Sequence, residues 1–131
     1  MKDDLPRYVL DSFALLAYFG AEPGESQVKA VLTRAAACQA VTYLSVINLG
    51  GVAYIIEREQ GAAATRRALA AIDQLPIKLI EADRRMALAA AHVKSHYPIP
   101  FVDAFAAAQA GITATLMVRA GTSQGTDPRL S

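Results

Sequence analysis

The chain has 131 residues, 53% of them hydrophobic and 19% charged, which is enough for one folded domain with its own core and too little for a second. Thirteen Lys and Arg stand against twelve Asp and Glu, a formal net charge of +1, so global charge argues neither for nor against a nucleic-acid partner and any anion site must be local. The single cysteine, Cys38, excludes an intramolecular disulfide. Within AAACQAV it is expected as a small packing residue in a reducing, cytoplasmic compartment.

Met1 to Pro6 is charged and the following YVLDSFALLAYF is interrupted by Asp11, so no secretion signal is expected. Arg7 to Leu10 predicts a strand ending at Asp11. SFALLAYFG predicts a helix with Phe13, Leu16 and Ala17 at helical spacing, stopped by Gly20. Pro23 is expected to open the next helix at its first position, and QVKAVLTRAAA places Val28, Val31, Leu32 and Ala35 on one face. AVTYLS, rich in β-branched and aromatic residues, predicts a second strand. The uncharged run between Arg34 and Glu57 is long enough on paper to cross a bilayer. It contains Gln39, Thr42, Ser45, Asn48 and two glycines, and so predicts a buried strand followed by a helix, with membrane insertion as the alternative.

Ser45 is expected to cap that helix, which runs to about Gln60 and ends at Gly61. Gly50 and Gly51 sit side by side within it, although each helical glycine costs roughly 0.8–1.0 kcal/mol relative to alanine. An alanine-rich helix follows, carrying Arg66, Arg67, Leu69 and Ile72. Pro76 introduces the strand IKLIE, and Asp83 opens the helix RRMALAAAHVKSHY, which Pro98 and Pro100 terminate. FVDAFAAAQAG predicts a helix with Asp103 in its first turn, and ITATLMV a last strand. Alternating strands and helices imply parallel pairing and a three-layer α/β fold. Ordinary core packing is expected for Phe13, Leu16 and Tyr54.

Parallel α/β sheets work beyond the carboxyl ends of their strands. Asp11 lies at such an end, and Asp103 starts a helix that can face the same edge. Carboxylates gathered there would bind Mg²⁺ or Mn²⁺, because hard cations prefer oxygen ligands. The same acids also read as a helix cap and a first-turn acid. His92 and His96 have metal-ligand spacing without an acidic or cysteine partner, which favours an exposed helix face. The pairs Arg66, Arg67 and Arg84, Arg85 suit either RNA phosphates or solvent. Asn48 suits hydrogen bonding to a carboxylate, capping or an interhelical contact. VRAGTSQGTDPRLS reads as a flexible loop.

Three blocks, YVLDSFALLAYF, LSVINLGGVAYII and PIPFVDAFAAAQA, resemble the PIN domain in the right order, particularly the VapC-like toxins of prokaryotic toxin–antitoxin pairs. The resemblance implies a three-layer PIN-like fold over residues 1–131, a parallel sheet of about four strands flanked by helices, with a flexible tail from about 119. It further implies an endoribonuclease that uses Mg²⁺ or Mn²⁺ for phosphodiester hydrolysis, self-associates as a homodimer, works in the cytoplasm away from membranes, and is silenced by a cognate antitoxin. Apolar helix faces bearing Leu15, Tyr18 and Phe19 are expected to accept the antitoxin in a groove beside the site.

Residue by residue, the first family acid falls on Asp11, followed by its usual small hydroxyl neighbour, Ser12. The third falls on Asp103, and Asn48 is expected in support. The second is a glutamate in a segment resembling INLGE, and here its position holds Gly51, while Gly50 is expected to let the helix approach the sheet. The fourth sits in a motif resembling TGDPEF. Asp127 matches its DP several residues late, and the family's closing strand has no counterpart before Ser131. The loss at Gly51 implies an impaired nuclease; the alternative is a catalytically silent PIN domain that binds RNA or an antitoxin. A third reading is an unrelated α/β protein whose acids are only caps.

Overall fold

The computed structural model describes residues 5–96, 98, 104, 108 and 115–118. In chain order these form β1 (Arg7–Leu10), α1 (Ser12–Gly20), α2 (Glu25–Ala36), β2 (Val41–Ser45), α3 (Val46–Gln60), α4 (Ala62–Asp73), β3 (Ile77–Ile80), α5 (Arg84–His96) and β4 (Thr115–Val118). The strands make one sheet in the order β3-β2-β1-β4, and every neighbouring pair is parallel. β1, β2 and β3 are each followed by helix before the chain re-enters the sheet, as parallel pairing requires.

Side chains alternate across a strand, and β1 uses that alternation to serve two cores. Tyr8 and Leu10 join Ala14, Leu15, Val28, Leu32, Leu44 and Val52 on one face. Val9 joins Ile80, Met86, Ala90 and Val93 on the other. The larger core therefore belongs to α1–α4 and the smaller to α5, which is the three-layer arrangement expected. On the first side Arg34 donates to the Tyr8 hydroxyl at 2.8 Å and lies over its ring, tying α2 to the central strand.

Three helix starts are set by short polar side chains that accept from exposed first-turn amides. Asp11 accepts from the Ala14 N–H at 2.7 Å, Ser45 from Ile47 at 3.1 Å, and Asp83 from Met86 at 2.8 Å. Two other boundaries differ from expectation. Helix α1 runs through Gly20 and ends at Ala21, whose backbone turns left-handed with φ 52° while its N–H donates to the Ala17 carbonyl. Helix α2 starts after Gly24, with φ 100°, because the reversal at that glycine, not Pro23, redirects the chain. The reversal after α2 likewise takes Cys38 out of the core: it is exposed, with φ 60°, and is not the packing residue expected.

The inward face of α1 is formed by Ala14, Leu15 and Ala17. Phe13 and Tyr54, expected in the core, are instead 62% and 63% exposed, because helical rotation turns their positions away from the neighbours that bury Leu15 and Val52. Leu16 is partly buried against the larger core. Among the described residues no helix is long and apolar enough to cross a membrane.

Candidate active-site edge

From β1 the sheet grows to β2 and β3 on one side and to β4 on the other, so the change of direction falls at the central strand. Crevices that hold ligands in open parallel sheets form beyond the carboxyl ends of the strands at such a point. Asp11 follows the last residue of β1 there and is 7% exposed. Its backbone is still extended, φ −98° and ψ 177°, when its carboxylate caps α1. The residue at the edge of the sheet is therefore fixed by a structural bond before any chemistry is asked of it.

Ser12 begins α1 and reaches across to α3. Its hydroxyl lies 2.9 Å from both the backbone carbonyl and the side-chain oxygen of Asn48. A hydroxyl has one proton to donate, so the two oxygens share it. Asn48 is 7% exposed, and its side-chain nitrogen is buried with no hydrogen-bond partner among the described residues. A buried amide donor left unpaired costs about 1–3 kcal/mol. The contact that Asn48 makes is thus to Ser12 and between helices, one of the roles open from sequence.

Gly51 lies one turn beyond Asn48 on the same helix. A Cβ built there would stand 2.8 Å from the Ser12 Oγ and 3.6 Å from the Ser12 Cβ. Beside Gly50 nothing lies within 4 Å. The expectation for Gly50 is therefore corrected: it is exposed and mediates no approach to the sheet, whereas Gly51 meets α1. Nothing in the spacing of LSVINLGGV distinguishes these two glycines, because the contact spans 39 positions of sequence.

Asp103 and Asp127 lie outside the described residues, as does the tail from about 119. Ala104, next to Asp103, is fully buried and belongs to the smaller core. For a hard divalent cation the described donors are incomplete. One Asp11 oxygen accepts from Ala14, the Asn48 side-chain oxygen accepts from Ser12, and position 51 offers no side chain. Among the described residues no three His, Cys, Asp or Glu side chains converge, so these alone do not fit Mg²⁺ or Mn²⁺, which take several oxygen ligands.

The His92 and His96 rings lie with centroids 4.7 Å apart and planes tilted by 53° on an exposed face of α5, and the His96 Nδ1 lies 3.0 Å from the His92 carbonyl. Arg66, Arg67, Arg84 and Arg85 are exposed. A groove of about 540 Å³ is lined by Phe13, Leu16, Phe19, Ile55, Arg58 and Arg67 among others. Leu15, expected on the docking face, is completely buried, and Tyr18 is partly buried against the larger core. Of the three residues expected there, Phe19 alone lines this groove. The spacing of Phe13, Leu16 and Phe19, three residues apart each time, carried the signal for a second apolar face on α1.

Residues 8–118 match the model of the PIN domain family. The fold is also similar to the crystal structure of Mycobacterium tuberculosis VapC20, a sarcin-ricin loop cleaving toxin, with a TM-score of 0.62 and 15% identity over 94% of this chain and 93% of that one. A chain of a toxin–antitoxin complex from Klebsiella pneumoniae is similar with a TM-score of 0.60 and 18% identity, over 92% and 91% of the two chains. None of the curated proteins compared gives a significant match.

Proposed function

Because the chain belongs to the PIN domain family, we propose that it is the toxin of a toxin–antitoxin pair and hydrolyses RNA phosphodiester bonds in the cytoplasm. The observation that carries this reading is the family match over residues 8–118, with Asp11 held buried at the carboxyl end of the central strand. Asp11 and Asp103 are the catalytic acids of the proposal and would hold Mg²⁺ or Mn²⁺, with Asp127 as a further donor. Such a cation, when bound, orients a water nucleophile and neutralises charge on the phosphate. Asp11 is kept in place by its bond to the Ala14 N–H. Ser12 and Asn48 lock the start of α1 against α3, which fixes where the Asp11 carboxylate stands. Gly51 leaves the cluster one carboxylate short, so the proposed activity is slow and needs high metal.

The partners of the proposal are an RNA substrate, a cognate antitoxin and a second copy of the chain. An antitoxin helix in the groove of Phe13, Phe19 and Ile55 would cover exposed apolar surface close to the start of α1. The likeness in fold to a chain of a toxin–antitoxin complex supports that partner. The second reading, a silent PIN domain acting by binding, is favoured by one observation: position 51, where the resemblance expects a glutamate, holds a glycine.

Cleavage of a structured RNA pool at millimolar Mn²⁺ tests the choice. The chain as it stands is expected to cut slowly, with the rate reduced about 10²-fold or more in Asp11→Asn and in Asp103→Asn, the order a positioned catalytic group contributes. Asp11→Asn retains a capping oxygen, so its loss of activity would not be a loss of fold. RNA binding without any cutting by the unaltered chain overturns the nuclease and establishes the silent domain.

A further inference from the structure

His92 and His96 stand one helical turn apart on the exposed side of α5, and the proposed nuclease reaction uses neither. Their ring centroids are 4.7 Å apart, with the planes tilted by 53°. With metal–nitrogen bonds of about 2.0–2.1 Å, two imidazoles sharing one ion place their centroids roughly 4.5–5.2 Å apart. The observed spacing lies in that range, so side-chain rotation alone brings both rings onto one ion.

The hydrogen bonds around His96 decide which of its nitrogens is available. Its Nδ1 lies 3.0 Å from the His92 carbonyl oxygen and 3.0 Å from the Ser95 Oγ, while the Ser95 hydroxyl donates to that same carbonyl at 2.7 Å. With its one proton given to the carbonyl, Ser95 has only lone pairs to offer His96. An unprotonated Nδ1 would face two acceptors and no donor. The contacts therefore select Nδ1–H and leave the lone pair on Nε2. This is how a ligating histidine is set: its other ring N–H is held by a backbone carbonyl. No third His, Cys, Asp or Glu completes a cluster among the described residues, and Leu88, one turn before His92 and 58% exposed, offers no donor atom. The remaining coordination positions fall to water.

We propose that His92 and His96 form a two-histidine site on α5 for a borderline divalent transition ion: Zn²⁺, Ni²⁺ or Cu²⁺. Imidazole suits these ions, whereas Mg²⁺ and Mn²⁺ prefer oxygen ligands. The site goes beyond the nuclease reading and does not depend on it. By bridging one turn, the ion ties down the end of α5, and an ion that binds only the folded chain stabilises it.

The test uses the full-length chain without an affinity tag, in a Cys38→Ser background, because the exposed thiol is itself a ligand for such ions. Calorimetric titration with Zn²⁺ and with Cu²⁺ compares this protein with its His92→Ala and His96→Ala variants. Loss of a group that merely supports a ligand costs about 10–100-fold in affinity, so either substitution is expected to weaken binding at least about tenfold. Cu²⁺ is expected to bind tighter than Zn²⁺, and millimolar Mg²⁺ to displace neither. Nitrogen hyperfine structure in the electron paramagnetic resonance of bound Cu²⁺ should report two imidazoles, and one in each variant. Both histidines are exposed, so equal thermal midpoints in EDTA are expected and show that the variants fold. Affinity unchanged by either substitution overturns the proposal. Loss with only one of them overturns it too, since that is the mark of a single imidazole. Displacement by millimolar Mg²⁺ assigns the ion to oxygen ligands and has the same force.

Discussion

Gly50 and Gly51 are consecutive in α3 and about 100° apart around it, and their surroundings are opposite. One faces open space and the other faces the Ser12 hydroxyl at less than contact distance. The same division runs along α1, where Ala14 and Leu15 are buried while Phe13 beside them is exposed. One residue type thus does different work according to which side of the α1–α3 pair it occupies. On the inner side fit decides what is tolerated. On the outer side intrinsic propensity decides.

The comparison is broken most forcefully from the inside. Leu15→Ala, at a completely buried site in the larger core, is expected to lose about 2–5 kcal/mol of stability, measured by urea unfolding; a loss below 1 kcal/mol would mean that α1 repacks freely. Asn48→Ala should lose no more than about 0.5–1.5 kcal/mol, since the Ser12 hydroxyl keeps the backbone carbonyl of residue 48 as acceptor and the amide removed carries an unpaired nitrogen. Gly50→Ala should instead gain about 0.5–1 kcal/mol, because the added methyl meets nothing and the helix is favoured. A loss at Gly50 would show that the two glycines are not distinguished by their surroundings. Phe13→Ala, exposed on the outer side, should change stability by less than about 0.5 kcal/mol while removing a wall of the groove, so an effect on antitoxin binding without an effect on unfolding is its expected signature.

Much of this fold was legible from local pattern. β1 emerged where expected because Arg7–Leu10 is a short apolar run closed by Asp11, and the Ser45 and Asp83 caps follow from side chains that satisfy first-turn amides. The PIN resemblance rested on ordered blocks that the family match over residues 8–118 bears out. What was not legible depends on rotation about a helix axis and on contacts distant in sequence. Phe13, Leu16 and Phe19 share one spacing, and Ala14, Leu15 and Ala17 offer a competing inward face; which stripe meets the sheet is decided by how α1 leaves β1. The Ser12 contact with position 51 joins residues from two helices, and no periodicity carries it. Helix ends were misplaced at Gly20 and Pro23 because the left-handed reversals fall one residue later, at Ala21 and Gly24. Asp11 stands at the carboxyl end of β1, as the sequence predicts, while Asp103 and Asp127 lie outside the described residues.

The exposed Cys38 has a practical consequence of its own. It precedes β2 at the amino edge of the sheet, whereas Ser45 ends the same strand at the carboxyl edge with Asp11, and five residues of strand span about 17 Å. Since it is the chain's one cysteine, a maleimide fluorophore will attach at that single point, at the far end of the strands from the proposed chemistry. Anisotropy of the labelled protein would then report its tumbling, and with it the docking of RNA, an antitoxin or a second copy, with the site left open.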